Sequence, residues 1–327
     1  MIISQTPFRL SFFGGGTDFP EFYSEHGGAV LLTTIDKFCY ITIHRLAPFF
    51  KHRFKASYAL TESVQAPEEF RHPLIREGLL ALGIRDGLEI VHVADLPGRT
   101  GLGSSSSFTV GFLNCLHAFR GENATPEQLA REAVEIERVR VGDPGGHQDQ
   151  YAAACGGLLR IEFSRDRAVR VHPLPVPEDR REELRRHLLL FYTGTERSAD
   201  EILTEQRNRI GQNIAALQEM RQMVDEAERI LTGGALPDFG RLLHESWRRK
   251  RGLSPGISTG LVDESYAAAR SAGALGGKLL GAGGHGFLLV FGEPDRHDAI
   301  RAKLTGLREL TFGFAKSGSR IIFKSPE

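Results

Sequence analysis

Residues 97–119 read PGRTGLGSSSSFTVGFLNCLHAF, a glycine-rich turn followed by four serines and an apolar stripe. Phe108, Phe112, Leu116 and Phe119 recur at helical spacing, so Ser104, Ser105, Ser106 and Ser107 open a helix whose buried face is already specified. The first N–H groups of a helix have no internal partners and carry the positive end of its dipole. Gly101 and Gly103 let the backbone approach a ligand unobstructed. This is the chemistry of an anion site, and a polyphosphate suits it. A serine-capped helix behind a flexible loop is the plainer alternative. Against it, one serine suffices for a cap, and residues 88–95 (LEIVHVAD) read as a strand, completing the order of strand, glycine loop and helix that phosphate sites use. The stretch is not a P-loop, because Ser104 stands where the lysine belongs. A serine hydroxyl would then help to hold metal or phosphate.

At 327 residues the chain can bury a sizeable core and is expected to form two domains. Its 41 basic and 41 acidic residues cancel, leaving no electrostatic footprint for nucleic acid or an anionic membrane. Any phosphate binding must therefore be local. Cys39, Cys115 and Cys155 are far apart, odd in number and without metal-ligand spacing, which suits packing roles in a reducing cytoplasmic compartment. The opening MIISQTPFRLSFF lacks the pattern of a leader, and no apolar run approaches membrane-spanning length. The expectation is a soluble cytoplasmic protein; a homo-oligomer is compatible with it. No internal repeat is visible.

In chain order, Phe8, Leu10 and Phe12 alternate with Arg9 and Ser11 as in a strand with one buried face, setting Arg9 on the other. Gly14, Gly15, Gly16 and Thr17 then form a turn that delivers Asp18 to a fixed place, either as a local cap or as an acceptor of sugar hydroxyls. Residues 28–46 read as two strands about a turn at Asp36 and Lys37. Lys51, His52, Arg53 and Lys55 form a basic patch, read as a charged edge strand in preference to a phosphate site. Residues 73–82 look like a short helix. Thr125, Pro126 and Gln128 predict a capping box and a helix over 126–140, on which Leu129, Ala133 and Glu137 share a stripe. Glu137 thus faces inward and needs a partner, either a neighbouring arginine or a magnesium ion facing the phosphates. Asp149 follows in HQDQY, after a glycine-rich break, as a plausible general base.

Residues 158–176 read as a β-hairpin, and the charged segment after it suggests a boundary between units 1–178 and 179–327. Ile202, Ile210, Ile214, Leu217, Val224 and Leu231 mark one long helix; Phe239 and Trp247 mark another, which ends in Arg248, Arg249, Lys250 and Arg251. Gly281, Gly283 and Gly286 match a dinucleotide fingerprint in spacing. The order is wrong, however, with a helix read before the glycines and a strand after them, so a Rossmann site is rejected.

TPFRLSFFGGGTDF (6–19), LPGRTGLGSSSS (96–107) and GGKLLGAGGHG (276–286) together resemble the three motifs of the GHMP kinases, the superfamily of galactokinase, homoserine kinase, mevalonate kinase and phosphomevalonate kinase. GGGTDF, HPLIREGL, GGHQDQYAAACGG and RKRGLSPGIS make the chain most similar to bacterial D-glycero-D-manno-heptose 7-phosphate kinases. The resemblance implies an α+β fold of two domains, the first like domain 2 of ribosomal protein S5 and the second ferredoxin-like. It implies ATP over Pro97, Gly98, Gly101, Leu102, Gly103 and the four serines, with Mg²⁺ at Ser105 and Glu137. It also implies Asp149 as base, Arg9 as the phosphoryl-stabilising cation, and a sugar phosphate held by Gly15, Gly16, Thr17, Asp18, Gly283 and Gly284. Its distal phosphate would meet some of Arg197, Lys250 and Arg251. Galactokinases carry a Glu-His pair where this chain has Gly15 and Gly16, which argues against galactose. An unphosphorylated sugar such as fucose, and a non-catalytic sugar sensor, are the alternatives.

Overall fold

The computed structural model describes residues 1–194 and 199–325. Its strands are β1 (Ile2–Phe13), β2 (Gly28–Arg45), β3 (Phe54–Ser57), β4 (Thr61–Val64), β5 (Leu88–Ala94), β6 (Leu158–Phe163), β7 (Val169–Pro173), β8 (Leu188–Tyr192), β9 (Ala274–Leu279), β10 (Phe287–Gly292), β11 (Arg308–Glu309) and β12 (Arg320–Lys324). One sheet runs β12-β1-β2-β5-β3-β4, with β6 on the other half of β2 and β7 outside β6; a second runs β11-β8-β10-β9. Sheets and helices alternate without the parallel βαβ series of a doubly wound fold, so the class is α+β.

The first sheet is organised on β1, which is buried on both faces, not on one. The serine helix (Ser104–Phe119) docks on it through Ser4 Oγ to the Gly111 carbonyl at 2.8 Å and Ser107 Oγ to the Pro7 carbonyl at 2.9 Å. At its far end, Phe12 and Phe13 meet the edge of Phe239 from helix Leu236–Gly252, with centroids 5.4 and 5.1 Å apart. Aromatic packing of this kind joins the two sheets into one apolar cluster, which holds Phe8 and Leu10 together with Leu190 and Phe291. The first sheet takes β1 to β7 and the second β8 to β11, and β12 returns to pair with β1. The last strand of the expected second unit therefore completes the first sheet.

Four local readings change. The two strands expected over 28–46 are one, because Asp36 and Lys37 bulge out of the ladder while Pro7 pairs with Phe38 and Phe8 with Ile35. β3 is not an edge strand; it lies between β5 and β4, and Lys55 pairs with Glu89 at 2.7 Å. The long helix over 202–231 is broken into Ala199–Asn208 and Ile214–Gly233, and Asn213 Nδ2 donates to the carbonyls of Arg209 (3.0 Å) and Leu253 (2.8 Å) at the break. The segment before Gly281 is strand β9, making the glycines a hairpin turn into β10. Gly276 and Gly277 hid that strand, since glycine is depleted in strands, yet a Cβ at 276 would overlap the Gly240 carbonyl of the adjoining helix. All three cysteines are free, and no helix among the described residues is long and apolar enough to cross a membrane.

The helix expected over 126–140 is α-helical over Pro126–Val134 and becomes a π turn over Glu135–Arg140. Thr125 Oγ1 accepts from the Gln128 amide at 3.2 Å, but the Gln128 side chain bonds Glu132 instead of closing the box. The wider turn re-aims its side chains and carries Glu137 fully inside. This helix is clasped to the serine helix by His117, a buried ring set 2.7 Å from Glu122 and 2.7 Å from Glu132. The bond to Glu132, opposed by burial and aided by the bond to Glu122, raises the His117 pKa above its ordinary value. The clasp therefore stabilises fully below the unfolded value of about 6.5 and fades as pH rises through the folded one. The gap in urea midpoint between wild type and His117→Gln should be widest near pH ~6 and narrow toward pH ~9; a gap constant across that range would contradict the clasp.

Candidate active site

The loop before the serine helix is shaped by left-handed residues: Arg99, Gly101 and Gly103 have φ of 62°, 80° and 74°. Gly103 is the residue before the helix, and no side chain caps the first turn. The four serines thus do not serve as caps. Ser104 Oγ accepts from the Arg99 amide (3.2 Å), Ser107 is spent on β1, and Ser106 donates to Glu137 (2.8 Å), which leaves Ser105 exposed. Pro97 and Gly98 are exposed on the loop, whereas Leu102 is buried and its carbonyl accepts from the Arg9 amide at 3.0 Å. The helix dipole and first-turn amides remain available to an anion.

Beneath that turn lies the pair Arg9 and Asp149. β1 supplies Arg9, and the first turn of helix Gln148–Cys155 supplies Asp149. The guanidinium holds the carboxylate in a fork, Nε to Oδ1 at 2.7 Å and Nη2 to Oδ2 at 2.8 Å, while Nη1 donates to the Gly101 carbonyl at 2.5 Å. A Cβ on Gly103 would come within 3.2 Å of Arg9 and 3.5 Å of Asp149, so the ion pair and the helix N-terminus are in direct contact.

The glycine turn after β1 sits on the other side of Asp149. Gly14 has φ of 78° and approaches the Ala29 carbonyl so closely that a Cβ would overlap it. Thr17 is buried with its hydroxyl on the carbonyls of Gly14 (2.8 Å) and Ala29 (2.9 Å), so it builds the turn and presents no hydroxyl to a substrate. Asp18 accepts from the Gly16 amide at 2.9 Å and from Gln148 Nε2 at 2.9 Å. Ser11 Oγ donates to Gln148 Oε1 at 2.6 Å, which orients that amide. Lys250 Nζ, also buried, bonds Gln206 Oε1 at 2.7 Å and reaches the Gly15 carbonyl at 3.5 Å.

The expected companion of Lys250 is elsewhere. Adjacent helix residues diverge by about 100°, and Arg251 instead pairs with Asp263 at 2.7 Å on the protein's outside. Arg197 lies outside the described residues. The structure also brings in Lys278 of β9, buried, with Nζ donating to the Phe12 carbonyl at 3.1 Å. Lys278, Gln148 and Gln206 are the site-lining residues that sequence reasoning missed. For Lys278 the available signal was a lone lysine inside an otherwise uncharged run.

Glu137 is a second buried carboxylate, in addition to Asp18. Ser106 and Gln150 donate to its Oε2, Arg138 stands 3.5 Å away, and its Oε1 has no hydrogen-bond partner. Burial pushes its pKa up, against Arg138 and the donating side chains. The hydroxyl beside Glu137 is thus Ser106, not the expected Ser105, because the π turn approaches the next face of the serine helix.

The third glycine run buttresses the first loop. A Cβ on Gly281 would lie 2.5 Å from Gly101 Cα, and one on Gly286 would overlap the Thr100 carbonyl. Gly283 is packed on the backbone of Ile257, and the Gly284 amide donates to the Ile257 carbonyl at 3.0 Å. These two glycines are committed to loop packing.

The chain is similar to known proteins over nearly its whole length. The family model for the GHMP kinases N terminal domain matches residues 72–157, and that for GHMP kinases C terminal matches residues 223–306. A D-glycero-alpha-D-manno-heptose 7-phosphate kinase of Campylobacter jejuni is 30% identical over 97% of both chains. A bifunctional fucokinase/GDP-fucose pyrophosphorylase of Arabidopsis thaliana is 26% identical over 91% of this chain and 30% of its own. The crystal structure of a D-glycero-D-manno-heptose 1-phosphate kinase from Bacteroides thetaiotaomicron superposes with a TM-score of 0.82 at 25% identity, covering all of both chains. With the family's two domains matched over residues 72–157 and 223–306 and a named kinase 30% identical over 97% of both chains, the chain is a member of the GHMP kinases and a phosphotransferase.

Proposed function

We propose that the protein transfers the γ-phosphoryl group of ATP to the anomeric hydroxyl of D-glycero-D-manno-heptose 7-phosphate, giving the 1,7-bisphosphate used to build nucleotide-activated heptose for surface polysaccharide. The observation that carries the reading is the contact between the Arg9–Asp149 fork and the uncapped N-terminus of the serine helix. It sets a carboxylate for the attacking hydroxyl directly beside a cradle for the transferring group. The heptose acceptor is supported by the end-to-end relative and by the small Gly15 and Gly16 beside Asp18. The two heptose kinases above differ in the name of the phosphorylated position, so an acceptor already phosphorylated at C1 is the second reading.

In the proposed reaction the first-turn amides of the serine helix and the loop 97–103 hold the phosphates of ATP. Asp149 accepts a hydrogen bond from the anomeric hydroxyl through a lone pair not used by Arg9, orients it for in-line attack, and takes its proton as the new O–P bond forms and the bond from the γ-phosphorus to the departing ADP breaks. Arg9, anchored on Gly101, offsets charge on the transferring group. Asp18, fixed by Gln148, receives sugar hydroxyls. A divalent cation fits Glu137, whose unpartnered Oε1 lies in a fully buried carboxylate beside Ser106. Glu137 and Ser106 would hold Mg²⁺ with few protein ligands, leaving the phosphates to complete its shell. When bound it supplies charge neutralisation to those phosphates.

ATP consumption against sugars and their 1-, 6- and 7-phosphates, with phosphorus NMR of the product, tests the reading. A new anomeric phosphate from the 7-phosphate is expected, and turnover of free sugars alone would contradict it. Asp149→Asn should lower kcat by roughly 10²–10⁴-fold with KM for ATP nearly unchanged; unchanged kcat would remove Asp149 from the reaction. Ser106→Ala should raise the Mg²⁺ concentration for half-maximal activity several-fold while Ser105→Ala does not, and the reverse ranking would return the hydroxyl role to Ser105.

A further inference from the structure

Lys250 and Lys278 arrive at the glycine turn from different elements, one from helix Leu236–Gly252 and the other from β9, and both are buried, 7% and 5% exposed. Their ammonium groups take backbone carbonyls on and just before the turn: Lys278 that of Phe12 at the end of β1 at 3.1 Å, Lys250 that of Gly15 at 3.5 Å. Among the described residues one carboxylate, Asp18, acts on both. Asp149 does not count toward them, since Arg9 already neutralises it in the fork. When both are protonated, two buried cations share one anion, an excess of one positive charge.

Such an excess is costly unless an anion arrives to match it. Donor capacity agrees: Lys278 has three N–H groups and one hydrogen-bond acceptor, Phe12. The pKa of Lys278 is pushed down to about 7 by burial, then by Lys250 and Arg9, with Asp18 opposing; that of Lys250 falls to about 8 through burial, with Asp18 again opposing. The contacts also give a direction. From the serine helix they run through Gly103 to Arg9 and Asp149, through Gln148 to Asp18, and through the turn to the lysines. The lysine pair is therefore at the acceptor end of the site, not at the nucleotide end.

We propose that Lys278 and Lys250 form the seat for the phosphate that the acceptor already carries, with Lys278 the principal determinant of preference for phosphorylated over unphosphorylated sugars. This rests on the acceptor being a sugar phosphate as proposed above. A free sugar bound there leaves the excess charge unmatched; a phosphate oxygen between the two ammonium groups satisfies both.

The test is a thermal-shift titration with inorganic phosphate in the presence of a saturating non-hydrolysable ATP analogue, on wild type, Lys278→Met and Lys278→Arg. Phosphate should stabilise wild type, stabilise Lys278→Arg in part, and leave Lys278→Met largely unshifted; equal shifts in wild type and Lys278→Met would overturn the seat. In steady state, Lys278→Met should raise KM for heptose 7-phosphate at least ~10-fold with KM for ATP within ~2-fold. Equal rises in both would likewise overturn it. Should Lys278→Met fail to fold, Lys250→Met carries the same pair of measurements. A wild type that turns over no heptose phosphate, yet loses its phosphate shift in Lys278→Met, would sink the substrate and keep the seat.

Discussion

The structure depends on finding partners for one buried guanidinium. Arg9 sits in the middle of β1, a strand covered on both faces, and a cation in such a place is tolerated only when its donors are matched. Two separate segments provide the match: Asp149 from the helix after the glycine break and the Gly101 carbonyl from the loop before the serine helix, a loop also tied to β1 by the Arg9 amide on the Leu102 carbonyl. Removing one partner of a buried pair typically costs about 3–5 kcal/mol, so folding and assembly of the site are the same event here.

Close backbone approach is the second constraint, and it follows from the first. To bring Gly101 onto Arg9 the loop needs support from behind, and the β9–β10 turn gives it by direct backbone contact at Gly281 and Gly286. Side chains there would push the loop away. The site is thus built from three glycine-bearing turns on three elements, with the chemistry-bearing side chains set between them. Charge is then laid out in sequence: the uncapped N-terminus of the serine helix, the Arg9–Asp149 ion pair, and two lysines about Asp18.

Much of this was legible in the chain. The 3.6-residue stripe of Phe108, Phe112 and Leu116 specified the serine helix, and alternation specified β1, because each signal reflects burial that the local sequence must satisfy by itself. Arg9, Asp18, Glu137 and Asp149 stood out as charges in apolar or glycine-framed settings. What was not legible depended on tertiary approach. The π turn that sets Glu137 beside Ser106 changes no local pattern. Lys278 sits in a glycine-diluted strand whose period is too weak to read, and its partner carbonyl on Phe12 is 266 residues away. Thr17, Gly283 and Gly284 looked like ligand contacts because their motifs surround the site, but they are used to hold its walls.

The central claim is that Arg9 and Asp149 act as one unit beside the phosphate cradle. A double-mutant cycle on kcat, with Arg9→Met, Asp149→Asn and both together, tests it most directly. The account predicts strong coupling, the double variant being no more than about threefold slower than the slower single variant. Multiplicative losses, each variant slowing turnover independently of the other, would contradict it.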